Sequence, residues 1–173
     1  LLDTGAVGIN FEDSWDDSAH LRPIPEQVER IQAVRAVAEK RGIPLVINAR
    51  ADSFFAEGFS SLEDRIEDVI TRANAYLKAG ADCIYPIGAG DKETLKVLRQ
   101  RINAPINVLA SAKTASLKEL QEIGINRVSF GPYIFRSLLA KESAMYEEIN
   151  NLGSYDIVTN GIFTGSDVQK YLI

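Results

Sequence analysis

Five times along this chain a short apolar run follows a glycine or proline that closes a helix-like stretch. No other feature limits its fold so strongly. The runs cover 8–14, 44–52, 81–88, 105–111 and 126–131. The closing glycines recur in similar settings: Gly5-Ala6-Val7-Gly8-Ile9, Gly80-Ala81-Asp82-Cys83-Ile84 and Gly124-Ile125-Asn126-Arg127-Val128. Between the runs, apolar residues return at helical spacing. Val28, Ile31, Val34, Val37 and Ala38 mark a helix from Pro25 to about Lys40. Ile66, Val69, Ile70, Ala73, Tyr76 and Leu77 mark a second, with Ser60 or Ser61 as its cap. Asp91 caps a third over 92–101, Leu117, Leu120 and Ile123 line a short fourth, and a longer one covers 133–149. Regular β-α alternation of this kind predicts an α/β fold with a parallel sheet and right-handed crossovers.

An open doubly wound sheet and part of a (β/α)8 barrel both satisfy that pattern. Strand faces separate them. Side chains alternate along a strand, so Gly8, Asn10 and Glu12 share one face of the first run, and Asn48 and Arg50 share one face of the second. An open sheet is covered by helices on both sides and reads apolar on both faces. Polar residues along a buried face are costly unless they meet partners or a ligand. The barrel is therefore expected, with the polar faces turned to its axis, and a phosphate-binding open sheet is the weaker reading because Gly88-Ala89-Gly90 is no phosphate loop. Five units are three short of a closed barrel, and the chain opens without methionine on what reads as a helix end, as if cut from something longer. Residues 1–150 form the expected carboxyl-terminal part of the barrel. The stretch 151–173 is a less regular tail in which Ser166 caps a last short helix.

A net charge of −5 gives no long-range attraction for nucleic acid, so no nucleic-acid partner is expected. No apolar run approaches the ~20 residues that span a bilayer, so no membrane partner is expected either. The single cysteine, Cys83, excludes an internal disulfide and reads as a small buried hydrophobe. Together with the lack of a recognisable leader, these points suggest the cytoplasm.

Ligands of parallel β-α folds bind at the carboxyl ends of the strands. Glu12 and Asp13 end the first run, Arg50 and Asp52 the second, Gly88 the third and Gly131 the fifth. An acid beside an arginine there suits a carboxylate or phosphonate gripped by the guanidinium, together with a hard metal ion. A structural Glu12–Arg50 pair is the plain alternative.

The segments GINFEDS (8–14), INARADSF (47–54), RANAYLKAGAD (72–82) and INRVSFGP (125–132) resemble, in order and spacing, the isocitrate lyase/phosphoenolpyruvate mutase superfamily, most closely its mutase-like branch. The resemblance implies a TIM-type barrel that binds Mg2+ and a small 2-oxo acid or phosphonate. It also implies chemistry that makes or breaks a C–C or P–C bond beside a pyruvate enolate. By the same resemblance Glu12 holds the metal through its water, Arg50 contacts substrate and developing charge, and Asn107 and Arg136 help to bind substrate. A homotetramer or dimer packed through 133–149 is implied as well. The departures matter. The acid pair and serine-glycine loop of the family's first three units have no counterpart here. The lyase cysteine-glycine-histidine loop is replaced by Ser14-Trp15-Asp16-Asp17-Ser18, so isocitrate or methylisocitrate cleavage is not expected. His20 lies in the same loop, as a surface residue or part of a lid. The competing expectation is a truncated, non-catalytic homologue acting as a binding or assembly subunit.

Overall fold

The computed structural model describes residues 1–15, 19–151 and 153–172. After a 3-10 turn at Leu2–Thr4 the elements run β1 (Gly8–Glu12), α1 (Ile24–Lys40), β2 (Val46–Ala51), α2 (Leu62–Lys78), β3 (Cys83–Pro86) and α3 (Lys92–Arg101). They continue with β4 (Asn107–Leu109), α4 (Leu117–Ile123), β5 (Arg127–Ser129), α5 (Tyr133–Asn150), α6 (Asp156–Thr159) and α7 (Gly165–Gln169). The chain divides into two compact units, Leu1–Phe130 and Gly131–Ile173.

In the first unit every paired strand is parallel, as the β-α alternation requires. The strands lie in sequence order, but as two small sheets, β1-β2-β3 and β4-β5. A single parallel bridge, Ile84 to Ile106, links the sheets, and Ile84 N donates to Pro105 O at 2.9 Å. The α/β class and parallel order thus match the expectation. A continuous barrel wall is not what these five strands form.

The apolar sides of the strands carry the core. Ile47, Ala49 and Ala51 of β2, Ile84 of β3 and Val108 of β4 are fully buried. They belong to one cluster with Ile31 and Ala38 of α1, Val69, Ala73 and Tyr76 of α2, Leu95 and Leu98 of α3, and Leu120 of α4. Each large aliphatic side chain removed from water contributes about 1.5–3 kcal/mol. Val37 departs from the expected stripe of α1 and is 53% exposed, while Gln27 is buried. Gln27, Ile31, Val34 and Ala38 are spaced four, three and four apart and share one stripe. Val37 precedes Ala38 by one residue and turns out of it. Helix starts follow local chemistry: Ser61 accepts from Asp64 N at 3.1 Å, Asp91 from Thr94 N at 2.9 Å, and Ser116 with Glu119 forms a capping box.

In the second unit α5 buries none of its residues, and Tyr133, Ile134, Phe135, Leu138 and Leu139 are exposed. The helix α6 had no periodic signal in the sequence. The last helix starts two residues earlier than expected: Thr164, not Ser166, is its cap, because Thr164 and Asp167 form the reciprocal capping box. Phe163 and Tyr171 stack with ring centres 5.7 Å apart. Among the described residues no helix is long and apolar enough to cross a membrane.

Candidate active site

Strand register brings the inward polar residues into a row. Glu12 is opposite Arg50, Arg50 is opposite Tyr85, and Asn107 is opposite Arg127. The Ile84–Ile106 bridge makes Tyr85 and Asn107 the next neighbours across the gap between the sheets. The row Glu12, Arg50, Tyr85, Asn107, Arg127 therefore crosses all five strands.

Arg50 is the centre of its carboxyl-terminal part. Its Nε donates to Asp52 Oδ1 at 2.6 Å and its NH2 to Asp52 Oδ2 at 3.0 Å, a two-pronged contact. Its NH1 lies 2.7 Å from Glu12 Oε2. The two acids differ sharply in setting: the Glu12 side chain is 52% exposed, that of Asp52 fully buried. Burial works to lower the Arg50 pKa, but bonding to Asp52 and the charges of Asp52 and Glu12 outweigh it and push the pKa up.

Behind Asp52 stands a second layer. Ser14 Oγ donates to Asp52 Oδ2 at 2.6 Å, and the Asp52 backbone N–H donates to Asp13 Oδ1 at 2.9 Å. Asp13, fully buried, also accepts from Tyr76 OH at 2.6 Å and Arg72 NH1 at 3.2 Å. Arg72 Nε donates to Asp68 Oδ2 at 2.7 Å, and Ser53 Oγ donates to the same oxygen at 2.7 Å. Helix α2 is thereby tied to the ends of β1 and β2. Burial pushes the Asp13 carboxyl above the usual range, opposed by Tyr76, the Asp52 N–H and Arg72. Burial and the Asp13 charge push the Tyr76 phenol up as well.

The structure brings together two of the expected site residues, Glu12 and Arg50. Asn107 is fully buried and bonded elsewhere: its Oδ1 accepts from Arg127 NH1 at 2.8 Å and its Nδ2 donates to Ser129 Oγ at 3.2 Å. Arg136 lies exposed on α5, in the second unit. Of the loop expected to differ from the lyases, 16–18 fall outside the described residues, and His20 sits in the bend that follows. Sequence reasoning passed over Tyr85, which strand alternation places on the same face as Cys83. Burial raises the Tyr85 pKa, opposed by the Ser129 hydroxyl and the charge of Arg50. It also gave Asp13 and Ser14 no role, because their partners lie 38 to 63 residues away. At the amino ends of the strands, Asn10, Asn48, Cys83 and Arg127 help to line a cavity of about 310 Å3. Asn48 Nδ2 donates to Asn10 Oδ1 at 2.7 Å, while the buried Asn48 Oδ1 has no partner among the described residues.

The donor set does not fit a resident metal ion by itself. Among the described residues no group of three or more His, Cys, Asp or Glu is placed to hold one. Both oxygens of Asp52 are engaged by Arg50, whereas the half-exposed Glu12 carboxylate meets Arg50 through Oε2.

Comparison with known proteins gives a consistent neighbourhood. The model of the phosphoenolpyruvate phosphomutase family matches residues 1–150. A 2-methylisocitrate lyase of Aeropyrum pernix is 27% identical over 173 residues, covering 94% of this chain and 53% of the relative. A crystal structure from Burkholderia cenocepacia J2315, described as a phosphonomutase, superposes with a TM-score of 0.79 at 34% identity over 85% of this chain and 59% of that one. An oxaloacetate acetylhydrolase in complex with its product oxalate shares the fold, with a TM-score of 0.76 at 19% identity over 92% of this chain and 56% of that one. The chain spans about half the length of the curated relatives it matches.

Proposed function

This chain belongs to the isocitrate lyase/phosphoenolpyruvate mutase superfamily, a group of lyases and mutases, and from that premise we propose that it carries the substrate-gripping part of an enzyme acting on a small 2-oxo acid. The observation behind the reading is Arg50, fixed at the carboxyl end of β2 between one buried and one exposed acid. Its planar fork can take a carboxylate on the edge that Asp52 leaves unused, and its permanent charge stabilises negative charge that develops on an adjacent enolate oxygen. A C–C or P–C bond beside that enolate is the one made or broken, with oxaloacetate-like or phosphonopyruvate-like acids as substrates. Bound Mg2+ would neutralise enolate charge as a Lewis acid. The half-exposed carboxylate of Glu12 could meet the water shell of such an ion.

The same reading extends to architecture and assembly. Five sequence-ordered parallel units, with β1 bonded on one edge only, support part of a (β/α)8 barrel. The exposed apolar residues of α5 support self-association through 133–149, as a tetramer or dimer. The lack of a three-ligand donor set among the described residues supports a second reading, a non-catalytic binding or assembly subunit.

Arg50→Lys separates the two. Lysine keeps the charge but loses the fork, so kcat/KM for oxaloacetate or phosphonopyruvate should fall roughly tenfold or more, about 1.4 kcal/mol of transition-state binding. Near-native turnover by a folded Arg50→Lys removes Arg50 from the reaction. No turnover of any 2-oxo acid by the unaltered protein supports the assembly reading.

A further inference from the structure

Arg50 faces two carboxylates that differ in every respect that decides which one it gives up. Asp52 engages two nitrogens, is fully buried, and is itself fixed by Ser14 Oγ and by the backbone bond to Asp13. Glu12 engages one nitrogen, is half exposed, and shows no second side-chain bond among the described residues. An exposed pair contributes little, since water and salt compete for both partners. A buried carboxylate cannot leave a guanidinium without stranding both charges. An incoming carboxylate must therefore displace Glu12 rather than Asp52.

We propose that Asp52 is a positioning residue that fixes the plane of Arg50, while the Glu12–Arg50 pair is a latch that a small carboxylate ligand opens by displacing Glu12. The proposal rests on the functional reading above and adds an order of events to it. Arg50 stays anchored on its Nε/NH2 edge, and its NH1 passes from Glu12 to the ligand. Glu12, released, is left charged and half exposed beside the bound acid. Asp52 acts through Arg50 and touches no ligand. Ser14 in turn restricts Asp52, because its hydroxyl occupies the oxygen that NH2 shares.

A latch and an anchor predict opposite signs when each is removed, which a shared structural role does not. The probe is oxalate, a planar two-carbon dicarboxylate with the outline of a pyruvate enolate, titrated calorimetrically into the protein without added metal. Glu12→Gln removes the competing charge at an exposed position, so oxalate should bind roughly two- to fivefold more tightly, the range expected for an exposed pair. Asp52→Asn removes the anchor, and binding should weaken by about tenfold or more, as for a lost charge-assisted fork. If Asp52→Asn fails to fold, Ser14→Ala tests the same support, with an expected weakening of about two- to fivefold for one hydrogen bond. Melting temperature is followed in each variant. Tighter binding by Glu12→Gln together with weaker binding by the Asp52 or Ser14 variant supports the proposal. Binding by the unaltered protein that Glu12→Gln leaves unchanged or weakens overturns the latch while leaving the functional reading in place. Oxalate bound by neither the unaltered protein nor Glu12→Gln overturns both.

Discussion

Asp13→Asn should be the most damaging conservative change in the first unit. The aspartate has no exposed surface and accepts three hydrogen bonds, from Asp52 N–H (2.9 Å), Tyr76 OH (2.6 Å) and Arg72 NH1 (3.2 Å). An amide of the same shape has one oxygen where the carboxylate has two. If that oxygen serves Asp52 N–H, the new NH2 points at Arg72 and Tyr76, donor against donor. Arg72, whose side chain is 8% exposed, then keeps only Asp68 as a counter-charge. Losing a hydrogen bond to a charged group costs about 1.5–3 kcal/mol, and breaking a buried ion pair costs about 3–5 kcal/mol. Because Asp68 remains, about 2–4 kcal/mol is expected. At about 3–5 °C per kcal/mol for a unit of this size, melting should drop by roughly 6–20 °C. Urea unfolding followed by circular dichroism should show a lower midpoint at unchanged slope. Burial raises the Asp13 pKa, so the folded chain binds the proton more tightly than the unfolded chain. Wild-type stability therefore falls as pH climbs from the usual carboxylate range through the raised value, and the gap to Asp13→Asn narrows over the same window. A cost below about 1 kcal/mol at neutral pH would refute the reasoning, because it would mean that Asp13 is held no better as an ion than as a neutral amide.

Two further outcomes follow from local geometry. Gly88, just past β3, has φ +93°, and an added Cβ would meet Phe54 Cβ at 2.8 Å; Gly88→Ala should destabilise by about 1–3 kcal/mol in chemical unfolding, and an unchanged midpoint would contradict the strain. The Glu119 carboxyl, bonded by Lys92 and by the Ser116 backbone and hydroxyl, is held down to about 2, so its contribution persists above the ordinary carboxylate range and is lost as pH falls toward 2; carbon-13 titration by NMR should show this, and an ordinary carboxylate midpoint would contradict it.

The alternation of apolar runs and helix-spaced stripes made the parallel α/β order readable, because periodicity is set by nearest neighbours in sequence. The caps Ser61, offered alongside Ser60, and Asp91 were readable for the same reason. Glu12 and Arg50 were readable as strand-end residues, and their register made them partners. What lay beyond sequence reading was pairing at long range. Nothing local to Asp13 announces Tyr76 or Arg72, and nothing local to Asn107 announces that Arg127 and Ser129 occupy it. Val37 misled because an apolar residue at the margin of a stripe has the same spacing to some members as a core residue. Tyr85 was open to view, since Cys83-Ile84-Tyr85 in a strand must place Tyr85 on the face of Cys83; a tyrosine in an apolar run simply reads as core.

The central claim is that Arg50 receives a carboxylate while Asp52 keeps it in place. A crystal structure of the protein with oxalate addresses this directly. The account predicts an oxalate carboxylate within about 3 Å of Arg50 NH1, a normal charge-assisted distance, with Glu12 turned away and the Asp52 fork intact. Oxalate bound away from Arg50, or bound with Glu12 still on NH1 and Asp52 displaced, would contradict it.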